Sequence, residues 1–551
     1  MKIALAQLNY TIGAFEENSS RIINAINHAR INKADLIIFS ELSVCGYPPL
    51  DLLEHKGFID RCESAVKSII HYTKDIAVVL GVPTLNKKSE GKNLYNSALF
   101  LFNGKVVHEI HKALLPTYDI FDEYRYFQPS EEFQIIEFLG KRLAITICED
   151  LWYEQPLLTD FGKNKLYTIN PMEVLSSLGC DAVINIAASP FAYNHDSIKN
   201  DILIDNARKY RVPVFYVNQV GAHTDLIFDG ASRVINSKGV IVARLAAFSE
   251  EIAFFDLDEV IGSEISKKTA ETAERIGMIH DALVLGIRDY FVKMKFTHAV
   301  LGLSGGIDSA VTLVLATRAL GAENVRVLLM PSQFSSDHSV SDAEQLARNL
   351  DVHYDIISIR ELYDTFLKYL NPVFKNLPSG IAEENIQARI RGTLLMAISN
   401  KFGNLLLNTS NKSEISVGYG TLYGDMNGGL SVLGDVYKTD VYHLATYINS
   451  GEEIIPVNTI NKPPSAELRP NQKDSDSLPD YELLDRILYN YIELRKSAEE
   501  IIAEGFASGV VEKTIHLVNT NEYKRFQTPP ILRVSSKAFG FGRRMPLVAR
   551  Y

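Results

Sequence analysis

Short apolar runs separated by polar turns recur from the first residues onward, and their spacing predicts an α/β chain. In the first half the strand candidates are Ile3–Leu8, Leu36–Phe39, Ala77–Gly81, Ser97–Phe102, Leu143–Ile147, Ala182–Ile186 and Val214–Val217. Ser232–Ile235 and Val240–Leu245 flank Ser237-Lys238-Gly239 as a hairpin, so this half is expected to contain antiparallel sheet. Gly262 to Glu274 is polar, lacks an aromatic residue and breaks the strand rhythm, which sets a boundary between a domain of residues 1–262 and one of residues 263–551. Beyond it come a long helix Arg275–Met294, a strand His298–Leu303, a helix Ser309–Leu320, a strand Val325–Met330, a helix Ser341–Asn349 and a strand Tyr354–Ile359. Regular strand–helix alternation predicts a doubly wound parallel sheet, with ligands beyond the carboxyl ends of its strands. No internal repeat relates the halves, and polar Asn471 to Ser477 is expected to be a mobile loop.

Composition narrows the function classes. A chain of 551 residues exceeds one hydrophobic core, and 46% hydrophobic with 22% charged residues is globular. A formal charge of -11 leaves no basic excess for general nucleic-acid binding. No apolar run reaches membrane-spanning length, and Met1-Lys2-Ile3-Ala4-Leu5-Ala6-Gln7 starts directly as a strand, so neither membrane insertion nor secretion is expected. Cys45, Cys62, Cys148 and Cys180 show no Cys-x-x-Cys pair and no matching histidine spacing, against a disulfide framework or structural zinc. A reducing, cytoplasmic setting follows as the expectation.

The most telling local pattern is Leu301-Gly302-Leu303-Ser304-Gly305-Gly306-Ile307-Asp308-Ser309, between an apolar strand and an apolar helix. Backbone N–H groups at the helix start, with the hydroxyls of Ser304 and Ser309, are expected to converge on an anion. The segment lacks the Gly-Lys-Ser/Thr ending that moves a terminal phosphoryl group, so cleavage between the α- and β-phosphates with nucleotidyl transfer fits better. On its own it is equally an ordinary glycine-rich turn.

In the first half Glu41, Lys112 and Cys148 each stand at the end of a separate apolar strand. Singly they read as a surface ion pair, a solvated strand end and a small buried hydrophobe. Jointly they offer a base, an oxyanion stabiliser and a nucleophile for attack on a carbonyl. With the flanking segments Ile145 to Trp152 and Tyr118 to Phe127, this half resembles the glutaminase branch of the nitrilase superfamily. That resemblance implies an αββα sandwich, with Glu41 as general base, Lys112 holding the tetrahedral intermediate and Cys148 as nucleophile. It also implies glutamine contacts from Tyr118 and Ser189, and a second active-site acid at Glu123. The branch often carries a basic residue where this chain has His195, which joins the expected glutamine contacts.

Ser304 to Ser309 resembles the loop of the ATP-pyrophosphatase superfamily, which forms adenylates and releases pyrophosphate. Asn385 to Gly392, Asn408 to Glu414, Gly418 to Asp425, Lys438, Lys462 to Leu468 and Lys537 to Arg544 are similar in order and spacing to the NAD synthetases within it. The resemblance implies that Gly302 to Ser309 and Thr409 contact ATP. It implies further that Asn385, Arg389, Glu414, Asp425, Lys438 and Lys537 form the deamido-NAD and reaction-centre shell. Attack on the tetra-anionic ATP calls for Mg2+, with Asp308 and Glu414 as the expected hard-oxygen ligands.

Together the halves resemble a glutaminase joined to an NAD synthetase. The implied substrates are glutamine, ATP and deamido-NAD, the implied assembly is a homodimer or a multiple of it, and an ammonia passage joins the two reactions. Rival readings are an amidotransferase acting on another carboxylate or nucleotide, a catalytically silent nucleotide- or glutamine-binding protein, and an amidase with an unrelated binding module.

Overall fold

The computed structural model describes residues 1–155, 165–263, 268–269, 274–375, 377–470 and 472–549. They fall into two compact units, Met1–Thr272 and Ala273–Tyr551. Most of the polar stretch expected as a linker lies outside the described residues. Within it, Lys268–Thr269 form a short strand against Ile241–Arg244, which the sequence reading had as a break in the strand rhythm.

The strands of the first unit are β1 (Lys2–Gln7), β2 (Leu36–Ile38), β3 (Ala77–Leu85), β4 (Leu94–Phe102), β5 (Lys105–His111), β6 (Ile135–Phe138), β7 (Lys141–Ile147) and β8 (Ala182–Ala187). Then follow β9 (Val214–Asn218), β10 (Val220–His223), β11 (Leu226–Asp229), β12 (Arg233–Ile235), β13 (Ile241–Arg244), β14 (Glu251–Asp256) and β15 (Lys268–Thr269). One sheet has the order β14-β1-β2-β3-β4-β5 and the second β15-β13-β12-β9-β8-β7-β6, with β10 and β11 as a separate ribbon. Ile3, Leu5, Leu36, Ile38, Ala98 and Phe100 of one sheet share a core with Ile145, Ile147, Ile184 and Phe215 of the other. The alternate positions of the first sheet, including Ala4, Ile37, Val78 and Leu99, pack with Ile22, Ile26, Ile59 and Ile69 of helices Phe15–Ile31 and Lys56–Ile70. Period-two alternation thus gives the first sheet two buried faces. Helices Pro171–Leu178 and His195–Tyr210 add Leu175, Leu203 and Ala207 on the second sheet, so the unit is layered αββα. The strand β5 carries exposed Val106 and Val107 and shows no clean alternation, which is why only its end was legible.

The second unit has β16 (Ala299–Gly302), β17 (Val325–Leu329), β18 (His353–Ile356), β19 (Leu405–Asn408) and β20 (Leu430–Ser431), all parallel, in the order β18-β17-β16-β19-β20. Helix Arg275–Met294 forms as the periodicity predicts. Helix Ile307–Leu320 starts two residues before the expected Ser309, so Asp308 belongs to its first turn. Val300, Leu328 and Leu406 pack against Tyr363, Ile386 and Ile390 of helices Arg360–Phe374 and Ile381–Phe402. The order reverses between β16 and β19, and a crevice opens beyond their carboxyl ends at such a switch point. Among the described residues, no helix is long and apolar enough to cross a membrane.

Candidate active sites

In the first unit, three strand ends place Glu41, Lys112 and Cys148. The turn after β2 carries Glu41, and Gly81 of β3 lies so close beneath it that a Cβ would come within 2.4 Å of the Ser40 carbonyl. Lys112 follows β5 directly, and its amide donates to the Asn96 carbonyl at 2.8 Å. Cys148 follows β7 with φ at 45°, the left-handed region that a non-glycine residue occupies only under strain, as at many reactive turns. Asp150 fixes this corner. Its carboxylate accepts from the amides of Ala113, Leu114 and Ile147, each at 2.9 Å, which ties the Lys112 and Cys148 turns together.

The Lys112 ammonium is wholly buried, and it donates to Glu41 Oε1 at 2.7 Å and to Glu123 Oε1 and Oε2 at 2.9 and 2.8 Å. Burial works against its charge, but Glu123 and Glu41 outweigh it and hold the group well above its usual range. Burial pushes Glu123 up to about 7, Glu41 adds to the rise and Lys112 opposes it. Burial, then the Glu41 carboxylate, raises the Cys148 thiol well above its ordinary value. The resting sulfur is therefore a thiol, and a base must take its proton before it can attack.

Of the remaining expected contacts, Tyr118 adjoins this centre, and Ser189 follows Ala188, whose amide donates to Glu41 Oε2 at 3.0 Å. Tyr118 donates to Glu149 Oε1 at 2.9 Å. The Ser189 amide donates to Asn218 Oδ1 at 2.8 Å, and His195, half-buried, opens the helix His195–Tyr210. Sequence reasoning missed Tyr47, which donates to Glu123 at 2.9 Å, and Asn96, which donates to Glu41 at 2.7 Å. It also missed Tyr167, whose hydroxyl donates to Glu149 at 2.7 Å. None of these three stands at a strand end beside an unusual charge, so no local signal marks them.

In the second unit a cleft of about 310 Å³ opens at the carboxyl ends of β16 and β19. Gly302, Leu303, Ser304, Gly306, Ile307, Asp308 and Thr409 line it. Gly305 and Ser309 do not. Gly305 has φ at 75°, and a Cβ there would lie 2.1 Å from the Ser339 carbonyl, so only glycine lets the turn approach the next helix. Ser309 is buried, and its hydroxyl donates to the Gly306 carbonyl at 2.9 Å and lies 3.1 Å from the Ser304 hydroxyl. In this structure its oxygen holds the turn from inside.

Asp308 and Glu414 meet across the switch point. The Asn411 amide donates to Asp308 at 2.9 Å, while its oxygen accepts from the Glu414 amide at 3.0 Å, capping helix Lys412–Val417. Lys438 Nζ donates to Asp308 Oδ2 at 2.5 Å and lies 3.5 Å from Glu414 Oε1. Burial, and then Asp308, lift Glu414 to about 8, with Lys438 opposing. Two close carboxylates facing the cleft form a hard-oxygen donor pair. A small divalent cation that keeps phosphate and water ligands needs only one or two such groups. Among the described residues no cluster of three acids, histidines or cysteines forms a complete cage.

The expected dinucleotide shell is only partly assembled here. Asp425 and Lys438 line the cleft. Asn385 accepts from the Thr421 hydroxyl at 2.7 Å, Arg389 is exposed and donates to the Leu422 carbonyl, and the Lys537 carbonyl accepts from Lys412 at 2.9 Å. None of these three lines the cleft. Arg391 and Lys462, from the same motifs, do line it. Burial lowers both groups from their ordinary values. Of the expected loop at 471–477, Asn471 lies outside the described residues. Asp474 is no free loop residue, since it is buried and accepts from Tyr419 at 3.2 Å and Tyr481 at 2.9 Å.

Comparison with known proteins agrees with both halves. Residues 2–264 match the carbon-nitrogen hydrolase family and residues 279–528 the NAD synthase family. The glutamine-dependent NAD(+) synthetase of Synechocystis sp. is 44% identical over 100% of this chain and 99% of its own. That of Acinetobacter baylyi is 44% identical over 99% and 98%. The solved structure of the Acinetobacter baumannii glutamine-dependent NAD+ synthetase in complex with ADP is 42% identical, covers 99% of this chain and 98% of that one, and superposes with a TM-score of 0.78. With near-complete coverage at this identity, the chain belongs to the glutamine-dependent NAD(+) synthetase family.

Proposed function

We propose that residues 1–262 hydrolyse glutamine and residues 263–551 use the released ammonia to convert deamido-NAD to NAD at the expense of ATP. The observation that carries this reading is the pairing, in one chain, of a buried Glu41–Lys112–Cys148 cluster with a switch-point cleft bearing Asp308, Glu414 and Lys438.

In the first site Glu41 takes the Cys148 proton and the sulfur attacks the side-chain amide carbon. Lys112 stabilises the oxyanion, and Glu41 returns the proton to the departing nitrogen. Water then hydrolyses the thioester, activated by the same carboxylate. Tyr118, Ser189 and His195 surround glutamine in this reading. In the second site the turn Ser304 to Asp308 holds the ATP phosphates, with Arg391 and Lys462 as further cations. Bound Mg2+, held by Asp308 and Glu414, would offset phosphate charge. The nicotinate carboxylate attacks the α-phosphorus, pyrophosphate leaves, and ammonia displaces AMP from the acyl-adenylate. Lys438 holds charge at this centre as the adenylate forms and breaks. At neutral pH most free ammonia is protonated and not nucleophilic, which favours production and use by one chain.

The exposed residues Leu362, Phe366, Tyr369 and Val373 follow helical spacing along Arg360–Phe374, and Leu377 and Ile381 continue the exposed apolar surface. This surface supports a homodimer. Arg389, exposed on helix Ile381–Phe402, belongs to a dinucleotide site that the dimer would complete. A cytoplasmic location fits the free cysteines.

The test is to incubate the protein with ATP, Mg2+ and deamido-NAD, adding glutamine or an ammonium salt in turn, and to follow AMP and glutamate. Stoichiometric AMP with both donors, and glutamate only with glutamine, is the expected result. Failure of deamido-NAD to support AMP release overturns the acceptor assignment.

A further inference from the structure

The glutaminase site contains a buried asparagine between its two carboxylates for which the triad chemistry supplies no task. We propose that Asn96 is a positioning residue of this site: a neutral amide clamp that aims Glu41 at Cys148 by holding it to Glu123. The inference rests on the glutaminase reading given above.

Asn96, Ala98 and Phe100 share one face of β4, and Ala98 and Phe100 join the core between the two sheets together with Cys148. A polar side chain that is 1% exposed at the end of such a face must be engaged to be tolerated. The Asn96 Nδ2 donates to Glu41 Oε1 at 2.7 Å and reaches Glu123 Oε2 at 3.4 Å. Carboxylates only accept, so the amide must turn its NH2 toward them. Its Oδ1 is then left buried with no hydrogen-bond partner among the described residues. The fold tolerates one orphaned acceptor in exchange for two donors on the acids.

Charge explains why an amide stands here. All three N–H bonds of Lys112 are already used, one on Glu41 and two on Glu123. Glu149 and the Cys148 sulfur face the same space, and Tyr47 donates to Glu123. A second cation would satisfy the acids but would weaken Glu41 as a base, whereas an amide bridges them without adding charge. The backbone of the same residue reinforces the arrangement, because its carbonyl accepts from the Lys112 amide at 2.8 Å. One side chain and its own carbonyl therefore register the base against the oxyanion stabiliser.

The experiment compares wild type, Asn96→Ala and Asn96→Leu in glutamate release, in synthesis driven by ammonium salt, and in alkylation of Cys148 by iodoacetamide followed by mass spectrometry. Asn96→Leu keeps a similar side-chain volume and stays neutral but loses the NH2, so a role in shape alone would leave it near wild type. The expected result is a fall in kcat for glutamine of about 100-fold in Asn96→Leu, the lower end of what general acid–base catalysis supplies, with KM changed less than about three-fold. Alkylation should slow in parallel, while ammonium-driven synthesis stays within about two-fold of wild type. Asn96→Leu retaining glutamine hydrolysis within about three-fold overturns the inference alone, as does a matching fall in ammonium-driven synthesis. Absence of glutamate release from wild type overturns the glutaminase reading itself.

Discussion

Lys112 and Glu41, 71 positions apart, are joined by a 2.7 Å ion pair in which neither side chain has any solvent exposure. A buried pair of this kind gains little net stability over apolar residues of equal size, because both ions lose their water. Its presence beside a strained cysteine is better explained by chemistry than by folding.

The first prediction concerns Cys148. Cys148→Ala should abolish glutamine-driven NAD synthesis, a loss of at least about 1000-fold, because no other group can form the thioester. Synthesis from ammonium salt should remain within about two-fold of wild type. The check is AMP formation with each donor, and retained glutamine use would refute the nucleophile assignment.

The second concerns pH. Burial raises Glu123 to about 7, so the carboxyl is protonated below that pH and ionised above it. Lowering pH through this point removes one of the two negative partners of Lys112, and glutamate release should fall toward acid with a midpoint near 7. Glu123→Gln, uncharged throughout, should lose that limb and show the low acid-side rate across the profile. An unchanged limb in this variant would refute the assignment.

The third concerns the cation. Asp308→Ala, or removal of divalent ions with a chelator, should stop AMP release with glutamine and with ammonium alike, while basal glutamate release persists. Isothermal titration of Mg2+ with a non-hydrolysable ATP analogue should show affinity weakened by at least about 10-fold in the variant. Normal binding there would exclude Asp308 as a ligand.

The fourth concerns stability. Lys412 is fully buried, 2.9 Å from Asp435 and also bonded to Glu493, and it holds the carboxyl-terminal segment through Ser535 and the Lys537 carbonyl. Lys412→Met leaves two buried carboxylates without their cation, which should cost about 3–5 kcal/mol. The measure is the urea unfolding transition of the second unit, and a shift under about 1 kcal/mol would show the cluster to be dispensable.

The fifth concerns assembly. Tyr369→Asp places a charge on the exposed apolar stripe of helix Arg360–Phe374 and should shift the protein from dimer to monomer in sedimentation at micromolar concentration. AMP formation should fall with it.

Much of the fold was legible before any coordinate. Helix Arg275–Met294 and strands β7, β8 and β9 match the apolar periodicity to within two residues, because burial of one or both faces of an element is written in its own residues. Both chemical turns were legible for the same reason: Ser304 to Asp308 and the Ile147-Cys148 corner are short, contiguous and bounded by strands. By contrast, β5 and the Lys268–Thr269 strand have no pattern of their own and exist because a neighbouring strand offers hydrogen bonds.

The sequence by itself determined that Glu41, Lys112, Cys148 and the turn Ser304 to Asp308 stand at strand ends, since this depends on neighbours along the chain. Only the tertiary structure decided that Asn96, Tyr47 and Glu123 close around Lys112 and that Lys438 bridges Asp308 and Glu414. Those contacts depend on strand order and register. A shift of one residue would turn every side chain of a strand to its opposite face, and no local pattern encodes which distant residue then lies opposite.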